Sequence, residues 1–200
     1  MLELPRLMLI TDRRLAGDEL LPRIRRCLEQ AEPGSVVVQL RDRDASIGWR
    51  LETGRALRAL TRDAGHQLSV SERLDLALLL GADAVHLPEV GVSAARVPEL
   101  VPGVWCSRAW HAGGAVDPGV DALVVSPAMA PRKGRAALGL DGLASVCGSL
   151  GVPVYALGGV DAESAGRCID AGAHGVAAIG AVLDGRSALP LLESLQIRRR

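Results

Sequence analysis

The stretch VPVYALGGVDAESAGRCIDAGAHGVAAIGAV, residues 152–182, contains the pattern that decides the fold. It begins with one apolar run, Val152–Leu157, and ends with a second, Gly175–Val182. Neither run alternates polar and apolar residues, which is typical of parallel strands covered on both faces. Gly172 precedes the second run, where a glycine can end a helix in a left-handed cap. The stretch therefore predicts a strand, a helical connection and a second, parallel strand.

Comparable apolar runs recur along the chain, and helix-like segments with apolar residues three and four apart lie between them. The other runs are Leu7–Thr11, Ser35–Leu40, Gln67–Ser71, Ala84–Leu87, Val104–Arg108 and Asp121–Ser126. Eight such runs in 200 residues predict a (β/α)8 barrel, a single domain over residues 1–200, with an open doubly wound sheet as the alternative. The glycine-rich segment 111–119 predicts that the helix after strand five is shortened or missing.

Composition indicates a small-molecule partner. The chain has 23 basic and 23 acidic side chains, so no basic excess points to nucleic acid or to a membrane surface. The four cysteines are widely spaced, which favours reduced thiols over a disulfide framework or a zinc site. The N-terminal segment lacks a signal-peptide pattern, and no apolar run approaches the length of a membrane span. A cytoplasmic homo-oligomer is expected.

Glycines after the last two predicted strands indicate a phosphate site, because (β/α)8 barrels place their chemistry at the C-terminal ends of strands. Gly158 and Gly159 follow strand seven, and Ile179, Gly180 and Ala181 mark the end of strand eight. Glycines let backbone N–H groups approach an anion closely. A tight turn is the alternative reading of the glycine pair, and the phosphate site is favoured.

The end of strand two indicates a second anion-binding group. Gln39, Arg41 and Arg43 are two residues apart, so an extended strand would aim all three into the barrel mouth. Guanidinium groups match phosphate oxygens, whereas ion pairs with Asp42, Asp44 or Glu72 are the alternative.

Three further side chains are candidates for chemistry. Lys133, the only lysine of the chain, is either a phosphate clamp or an exposed loop cation. Glu72 could offer oxygens to Mg²⁺, although an ion pair with Arg41 or Arg43 is the preferred reading. His111 is a candidate acid–base group. His86 lies inside an apolar strand, where a satisfied inward histidine is at least as well supported as a catalytic one.

Taken together, these segments resemble the thiamine-phosphate synthase / TenI family of small TIM barrels. The resemblance runs over almost the whole chain, through Leu9–Asp12, Val38–Arg43, Ser71–Ala77, Gly81–Leu87, Leu138–Gly139, Ala156–Val160 and Ala171–Ala177. The synthases join a pyrimidine pyrophosphate to a thiazole phosphate and release pyrophosphate, with magnesium and basic side chains on the leaving group. The resemblance implies a transferase of thiamine biosynthesis that binds thiazole phosphate.

The resemblance also assigns roles to residues. It puts Gln39, Arg41 and Arg43 on the pyrophosphate and pyrimidine, and Lys133 near the family's loop lysine. Ser71, Gly139 and the glycine-rich turns after strands seven and eight complete the substrate contacts. Arg41, Lys133 and His111 are the predicted catalytic residues, and Glu72 is the predicted metal ligand.

Several positions depart from the family pattern. An Asn-Asp pair of the family is replaced by Ser71-Glu72, and its second metal-binding Asp falls at about Gly91. One carboxylate remains, so Mg²⁺ is expected to bind weakly and with help from the substrate. The histidine of the TenI tautomerases falls at Pro127. A thiazole tautomerase and a non-catalytic phosphate-binding barrel are therefore the alternatives to a synthase.

Overall fold

Eight parallel strands close into a barrel in the computed structural model, which describes residues 3–111, 113–132 and 134–199. The strands are β1 (Leu7–Ile10), β2 (Val36–Leu40), β3 (Gln67–Ser71), β4 (Ala84–Leu87), β5 (Trp105–Trp110), β6 (Ala122–Val125), β7 (Val154–Leu157) and β8 (Gly175–Ala178). Each strand pairs with the next, and β8 pairs with β1. The predicted (β/α)8 barrel is confirmed, and the open sheet is excluded.

Helices follow most strands and cover the outside of the barrel. They are α1 (Arg13–Ala16), α2 (Leu20–Gln30), α3 (Ile47–Asp63), α4 (Leu74–Leu80), α5 (Val97–Leu100), α6 (Gly139–Leu150), α7 (Ala162–Asp170), α8 (Gly180–Leu183) and α9 (Leu189–Ser194). Helix α4 ends at Gly81, whose φ of 55° is the left-handed cap that favours glycine before a strand. Within the described part of the chain, no helix combines the length and apolar character needed to cross a bilayer.

The barrel interior has an apolar sector and a polar sector. Met8, Val124 and Tyr155 are among the apolar side chains that pack together inside it. Strands β2 to β5 instead contribute buried polar side chains, namely Gln39, Ser69, Ser71, His86 and Ser107. Gln39 Oε1, Ser69 Oγ and Ser71 Oγ have no hydrogen-bond partner among the described residues. The interior beneath the C-terminal ends of the strands is thus polar on one side.

The connection from β5 to β6 contains no helix in its described residues, 111 and 113–121, as its glycine content predicted. A buried ion pair fixes it instead: Arg108 Nη2 lies 2.8 Å from the carboxylate of Asp117. Arg108 Nη1 also donates to the carbonyl of Pro88 at 2.7 Å, and Asp117 accepts the N–H of Ala94 at 2.6 Å. The segments after β4 and β5 are therefore held together by charge-assisted hydrogen bonds.

Two predicted strand ends were wrong by two or more residues. The run Gly175–Val182 is not one strand, because β8 ends at Ala178 and the N–H of Leu183 donates to the carbonyl of Ile179 at 2.9 Å. An apolar run alone does not distinguish a strand from a buried helical turn. Strand β5 continues past the predicted end at Arg108 to Trp110, which pairs with Val125 of β6. His111 consequently lies directly at the end of a strand.

Candidate functional site

Two adjoining cavities open at the C-terminal ends of the strands. The mouth cavity, of about 200 Å³, is lined by side chains that follow β2, β5 and β6. The phosphate pocket, of about 290 Å³, lies between the loops after β7 and β8. Arg132, Leu157 and Ile179 line both cavities, so the two spaces share a wall. A larger cavity, of about 740 Å³, lies beside Arg6 and His174 before the strands begin, at the end of such barrels where chemistry is not built.

The phosphate pocket contains all five residues that the sequence assigned to it. Gly158, Gly159, Ile179, Gly180 and Ala181 line one space. The N–H groups of Gly158 and Gly159 donate to no other described residue, and the first N–H groups of a helix such as α8 have no partner within the helix. The pocket therefore presents free backbone donors from two loops, which is the arrangement that binds phosphate.

The glycine pair also shapes the loop after β6. The Gly158 carbonyl accepts the N–H of Met129 at 2.8 Å and that of Ala130 at 3.2 Å. A Cβ at Gly159 would lie 2.4 Å from Ala130 Cβ, and the residue has a φ of 71°. Glycine is thus required here for close backbone approach as well as for conformation. The structure shows the tight turn of the alternative reading, and anion binding by the pair stays a prediction.

Two carboxylates of the phosphate pocket are already hydrogen-bonded. Asp161 caps α7 by accepting the N–H of Ser164 at 3.0 Å, and the hydrogen bonds from Ser164 lower its pKa. Asp184 accepts from Arg186 Nε at 2.7 Å, and this bond lowers the pKa of Asp184. Arg132, which forms no ion pair with a described residue, also lines the pocket. The polar groups of the pocket that remain available to a ligand are therefore backbone N–H donors and the guanidinium of Arg132.

The mouth cavity is strongly cationic. Four guanidinium groups line it, from Arg41, Arg43, Arg132 and Arg135, and no carboxylate is among the described residues that line it. Arg43 Nη2 lies 2.6 Å from Glu72 Oε1, so the ion pair preferred from the sequence is present. A cavity with this charge favours an anion with several phosphoryl oxygens.

The other predicted site residues lie around these cavities. Gln39 is 1% exposed inside the barrel and does not line the mouth beside Arg41 and Arg43, because β2 already ends at Leu40. Ser71 is fully buried, and its carbonyl accepts from Arg50 Nη2 at 2.9 Å. Gly139 begins α6, and its N–H donates to the carbonyl of Ala128 at 3.0 Å. Lys133 lies outside the described residues.

The two histidines of the mouth cavity differ in environment. His86 is 6% exposed, and its Nδ1 lies 3.0 Å from Ser107 Oγ. Burial, reinforced by the charges of Arg43, Arg41 and Arg108, lowers the pKa of His86 to about 3, so its ring is neutral near pH 7. His111 Nδ1 lies 2.9 Å from Glu89 Oε2, although the contact lacks the angles of a hydrogen bond.

His86 makes a testable contribution to pH-dependent stability. Its pKa is lower in the folded protein, about 3, than the ordinary value of 6.5, so the unfolded chain takes up the proton first as pH falls. Folded stability that depends on neutral His86 is complete above pH 6.5 and is lost progressively toward pH 3. We expect urea unfolding of His86→Gln to show a shallower loss of stability than the wild type between about pH 6.5 and pH 4. Comparison with the wild type is needed because burial also lowers the pKa of His66 and His174. Parallel stability curves for the two proteins would contradict the buried, neutral state of His86.

The described residues do not form a magnesium site. No three of their His, Cys, Asp and Glu side chains are grouped as metal ligands. Glu72 is bound to Arg43, Glu89 lies near His111 and 3.9 Å from Arg135, and Gly91 offers no side chain. Mg²⁺ prefers several free oxygens in near-octahedral geometry. A single carboxylate already paired with a guanidinium does not meet that requirement.

Arg132 and Arg135 are the site residues that sequence reasoning missed. Both lie in the loop after β6, in which the sequence indicated Lys133 because it is the only lysine of the chain. In a chain with 22 arginines beside that lysine, an arginine in a loop carries little information by itself. The backbones of Arg132 and Arg135 exchange two hydrogen bonds of 3.0 Å, which fixes both residues at the rim. The signal available in the sequence was the cluster of cations after a predicted strand.

A (β/α)8 barrel with a donor-rich pocket after β7 and β8 and a cationic mouth defines a class of barrel that acts on phosphorylated small molecules. Comparison with known proteins narrows this class. A family model described as thiamine monophosphate synthase matches residues 7–182. A putative thiamine-phosphate synthase of Geobacter sulfurreducens is 39% identical over 187 residues, which cover 88% of this chain and 86% of the relative.

Two further relatives agree with this assignment. A thiamine-phosphate synthase of Roseiflexus sp. is 38% identical over 182 residues, which cover 87% of this chain and 76% of the relative. The solved structure of a thiamine phosphate pyrophosphorylase from Pyrococcus furiosus has a TM-score of 0.81 and 29% identity, with 96% of this chain and 93% of that chain covered. The chain belongs to the thiamine monophosphate synthase family, a family of thiamine-biosynthesis transferases.

Proposed function

We propose that this protein is a thiamine-phosphate synthase, which couples thiazole phosphate to hydroxymethylpyrimidine pyrophosphate and releases pyrophosphate. The observation that supports this best is the shared wall between the phosphate pocket and the mouth cavity, formed by Arg132, Leu157 and Ile179. A reaction between two phosphorylated substrates needs adjacent anion sites, because the reacting atoms must approach to about 3–3.5 Å. A protein that binds one phosphorylated ligand needs one such site.

The reaction requires little from acid–base groups. The bond between the pyrimidine methylene carbon and the pyrophosphate oxygen breaks, and its electron pair leaves with the oxygen. The thiazole nitrogen forms the new bond to that carbon. The main catalytic demand is therefore to stabilise the departing negative charge, which fixed cations do well in a site shielded from water. Arg41, Arg43 and Arg135 line the mouth cavity and are the cations proposed to stabilise this charge.

The remaining proposed contacts follow from assigning the thiazole phosphate to the phosphate pocket and the pyrophosphate to the mouth cavity. The N–H groups after β7 and β8 hold the thiazole phosphate, with Arg132 between the two substrates. Contact of Gln39 and Ser71 with the pyrimidine is proposed from the family resemblance; both side chains lie buried beneath the mouth cavity, with oxygen atoms that have no described partner. Lys133 is proposed as a cation on the pyrophosphate, from the family resemblance alone.

Mg²⁺ is proposed as a weakly held cofactor that enters with the pyrophosphate. Glu72 is the one carboxylate at a matching position, and its ion pair with Arg43 competes with metal. When present, the ion would add positive charge to the phosphoryl oxygens.

One observation favours the tautomerase as a second candidate function. His111 lines the mouth cavity with its ring nitrogen 2.9 Å from Glu89, and such a pair could move a proton on a bound thiazole. The assay of the proposed function therefore also monitors isomerisation of the thiazole phosphate.

The test is formation of thiamine phosphate by purified protein from the two substrates, followed by mass spectrometry. We expect product, and we expect Arg41→Ala to lower kcat/KM about 100-fold because charge stabilisation of the leaving group is lost. Arg96→Ala, which removes an exposed guanidinium paired with Glu99 on the outer surface, is the matched control and should match the wild type. Isomerisation of the thiazole phosphate without coupling would support the tautomerase. Binding without either reaction would support the non-catalytic barrel.

We also propose that the protein acts in the cytoplasm as a homo-oligomer. The reduced state of its cysteines suits that compartment, and Cys27, Cys106 and Cys168 are buried. The exposed side chains of Leu78 and Leu79 on α4, 60% and 70% exposed, support contact with a second copy. Light scattering coupled to size-exclusion chromatography of Leu79→Lys against the wild type tests the oligomer.

A further inference from the structure

The charges of the mouth cavity are opposite to those of a metal site. Its described lining includes the guanidinium groups of Arg41, Arg43, Arg132 and Arg135 and no carboxylate. Acidic side chains near the rim are bound to cations of this same set: Glu72 to Arg43 at 2.6 Å, with Glu89 at 3.9 Å from Arg135. A divalent cation entering this space would meet like charges before it met a free ligand oxygen.

The position of Glu72 supports a role as a partner of Arg43. Glu72 has a φ of 65°, a backbone conformation that is costly for a side chain longer than Asn or Asp. This conformation is fixed from both sides, since the Glu72 N–H donates to the His86 carbonyl at 2.9 Å and the Arg73 N–H donates to the Ser71 carbonyl at 2.8 Å. The Glu72 side chain is about one-third exposed, at 30%, so its contact with Arg43 can be exchanged for another anion.

Arg50 adds a further cation behind this pair. It is 5% exposed and donates to the Ser71 carbonyl. Burial is the main cause that lowers the pKa of Arg50, and the charges of Glu72 and Arg43 also affect it. Arg50 thus adds positive charge near the ion pair of Arg43 and Glu72. The Glu72 carboxylate therefore already has a cationic partner, Arg43, without a metal ion.

We propose that the mouth cavity binds a diphosphate group directly through arginine and does not require Mg²⁺ to do so, and that the diphosphate displaces Glu72 from Arg43. Arg41, Arg43, Arg132 and Arg135 supply the positive charge that a metal ion would otherwise bring, and a guanidinium can hold two phosphoryl oxygens at once. Glu72 acts as a placeholder that keeps Arg43 in position in the free protein. This inference rests on the proposed function for its ligand, and it concerns binding of the leaving group.

The experiment is calorimetric titration of the protein with inorganic pyrophosphate in EDTA and in excess Mg²⁺. We expect clear binding in EDTA, with an affinity within about threefold of that in Mg²⁺ or higher, since Mg²⁺ also neutralises the free anion. Glu72→Gln should tighten binding in EDTA about threefold or more, because Arg43 no longer has to exchange partners. A true metal ligand gives the opposite result, namely weaker binding in Glu72→Gln and no binding in EDTA.

Two matched variants locate the bound pyrophosphate. Of the two cavities, Arg135 lines only the mouth cavity and Arg186 lines only the phosphate pocket, so each substitution to Ala changes one cavity. We expect Arg135→Ala to weaken pyrophosphate binding about tenfold in EDTA, whereas Arg96→Ala on the outer surface should not change it. Loss of binding in Arg186→Ala but not in Arg135→Ala would place the anion in the phosphate pocket and overturn the proposal. Absence of pyrophosphate binding in EDTA would overturn it as well.

Two outcomes distinguish the arginine site from the synthase activity. Pyrophosphate binding in EDTA without formation of thiamine phosphate would leave the arginine site standing and remove the synthase. Formation of thiamine phosphate only with Mg²⁺, together with no binding in EDTA, would keep the synthase and remove the arginine site. Circular dichroism of Glu72→Gln and Arg135→Ala checks that each variant is folded.

Discussion

Replacing Gly180 with Asp is expected to weaken binding of thiazole phosphate at least 100-fold while leaving the barrel folded. Gly180 lines the phosphate pocket as the first residue of α8, and a Cβ added there meets no heavy atom within 4 Å. The new carboxylate would stand beside the free N–H groups, where it would occupy them and repel the phosphate. Like charges about 4 Å apart near a protein surface cost about 4 kcal/mol, which exceeds the required loss.

The control for this change is Gly180→Asn, which has nearly the same shape and no charge. Its affinity for thiazole phosphate should lie within about tenfold of the wild type, because it can block the N–H groups only by neutral hydrogen bonds. Calorimetry with both variants separates charge from bulk. Gly159→Asp is less informative, since its Cβ would already collide with Ala130 and distort the loop after β6. Equal affinities for Gly180→Asp and the wild type would show that the phosphate lies elsewhere.

The grouping of the glycine-rich turns after β7 and β8 around one cavity was predictable, because glycine allows the tight backbone turns and close approaches found there. Gly158 and Gly159 follow an apolar run, and the position of that run as the seventh in the chain fixed their place in a barrel. The order of the strands around the barrel is the order of the apolar runs along the chain. The end of β8 was not predictable in the same way, because Ile179–Val182 is as apolar as the strand before it. Whether such residues continue a strand or begin a helical turn depends on hydrogen bonds made in the folded barrel.

The mouth cavity was predictable only in part. Arg41 was predicted as a site residue because Gln39, Arg41 and Arg43 follow the wholly apolar run 36–38, where an inward cation needs a partner. Arg132 and Arg135 have no such background, since they lie in a loop rather than at the end of an apolar strand and arginine is common in this chain. Their convergence on Arg41 depends on how the loop after β6 closes, and that closure is fixed by contacts with Gly158, which lies far along the chain. Contacts of this kind carry no local sequence signal.

The environment of His86 was predictable from the sequence only in part. The sequence indicated a satisfied inward histidine at least as strongly as a catalytic one. The structure supplies the missing partner, Ser107, across the β4–β5 pair, where His86 and Ser107 are in register. Because side chains alternate along a strand, the partner follows once the register is known. The register itself could not be read from either strand alone.

Arg132→Ala is expected to lower synthase kcat/KM about 1,000-fold, a larger loss than for any other single arginine of the site. Arg132 lines both the mouth cavity and the phosphate pocket, so its guanidinium can contact both substrates in the ternary complex. Binding of each ligand alone should weaken about tenfold, because each loses one charge-assisted contact. The remaining loss should appear in kcat, since the alignment of the two substrates is disturbed as well as their affinity.

The neighbouring arginines provide the comparison for this prediction. Arg135→Ala should weaken pyrophosphate binding without affecting thiazole phosphate, and Arg186→Ala should do the reverse, because each lines one of the two cavities. Arg132→Lys should recover part of kcat, since a single ammonium replaces the charge but not the planar pair of donors. Single-ligand calorimetry and steady-state kinetics on the four variants distinguish these patterns. If Arg132→Ala affects the binding of one ligand and spares the other, Arg132 belongs to one cavity, and the shared wall does not align the substrates.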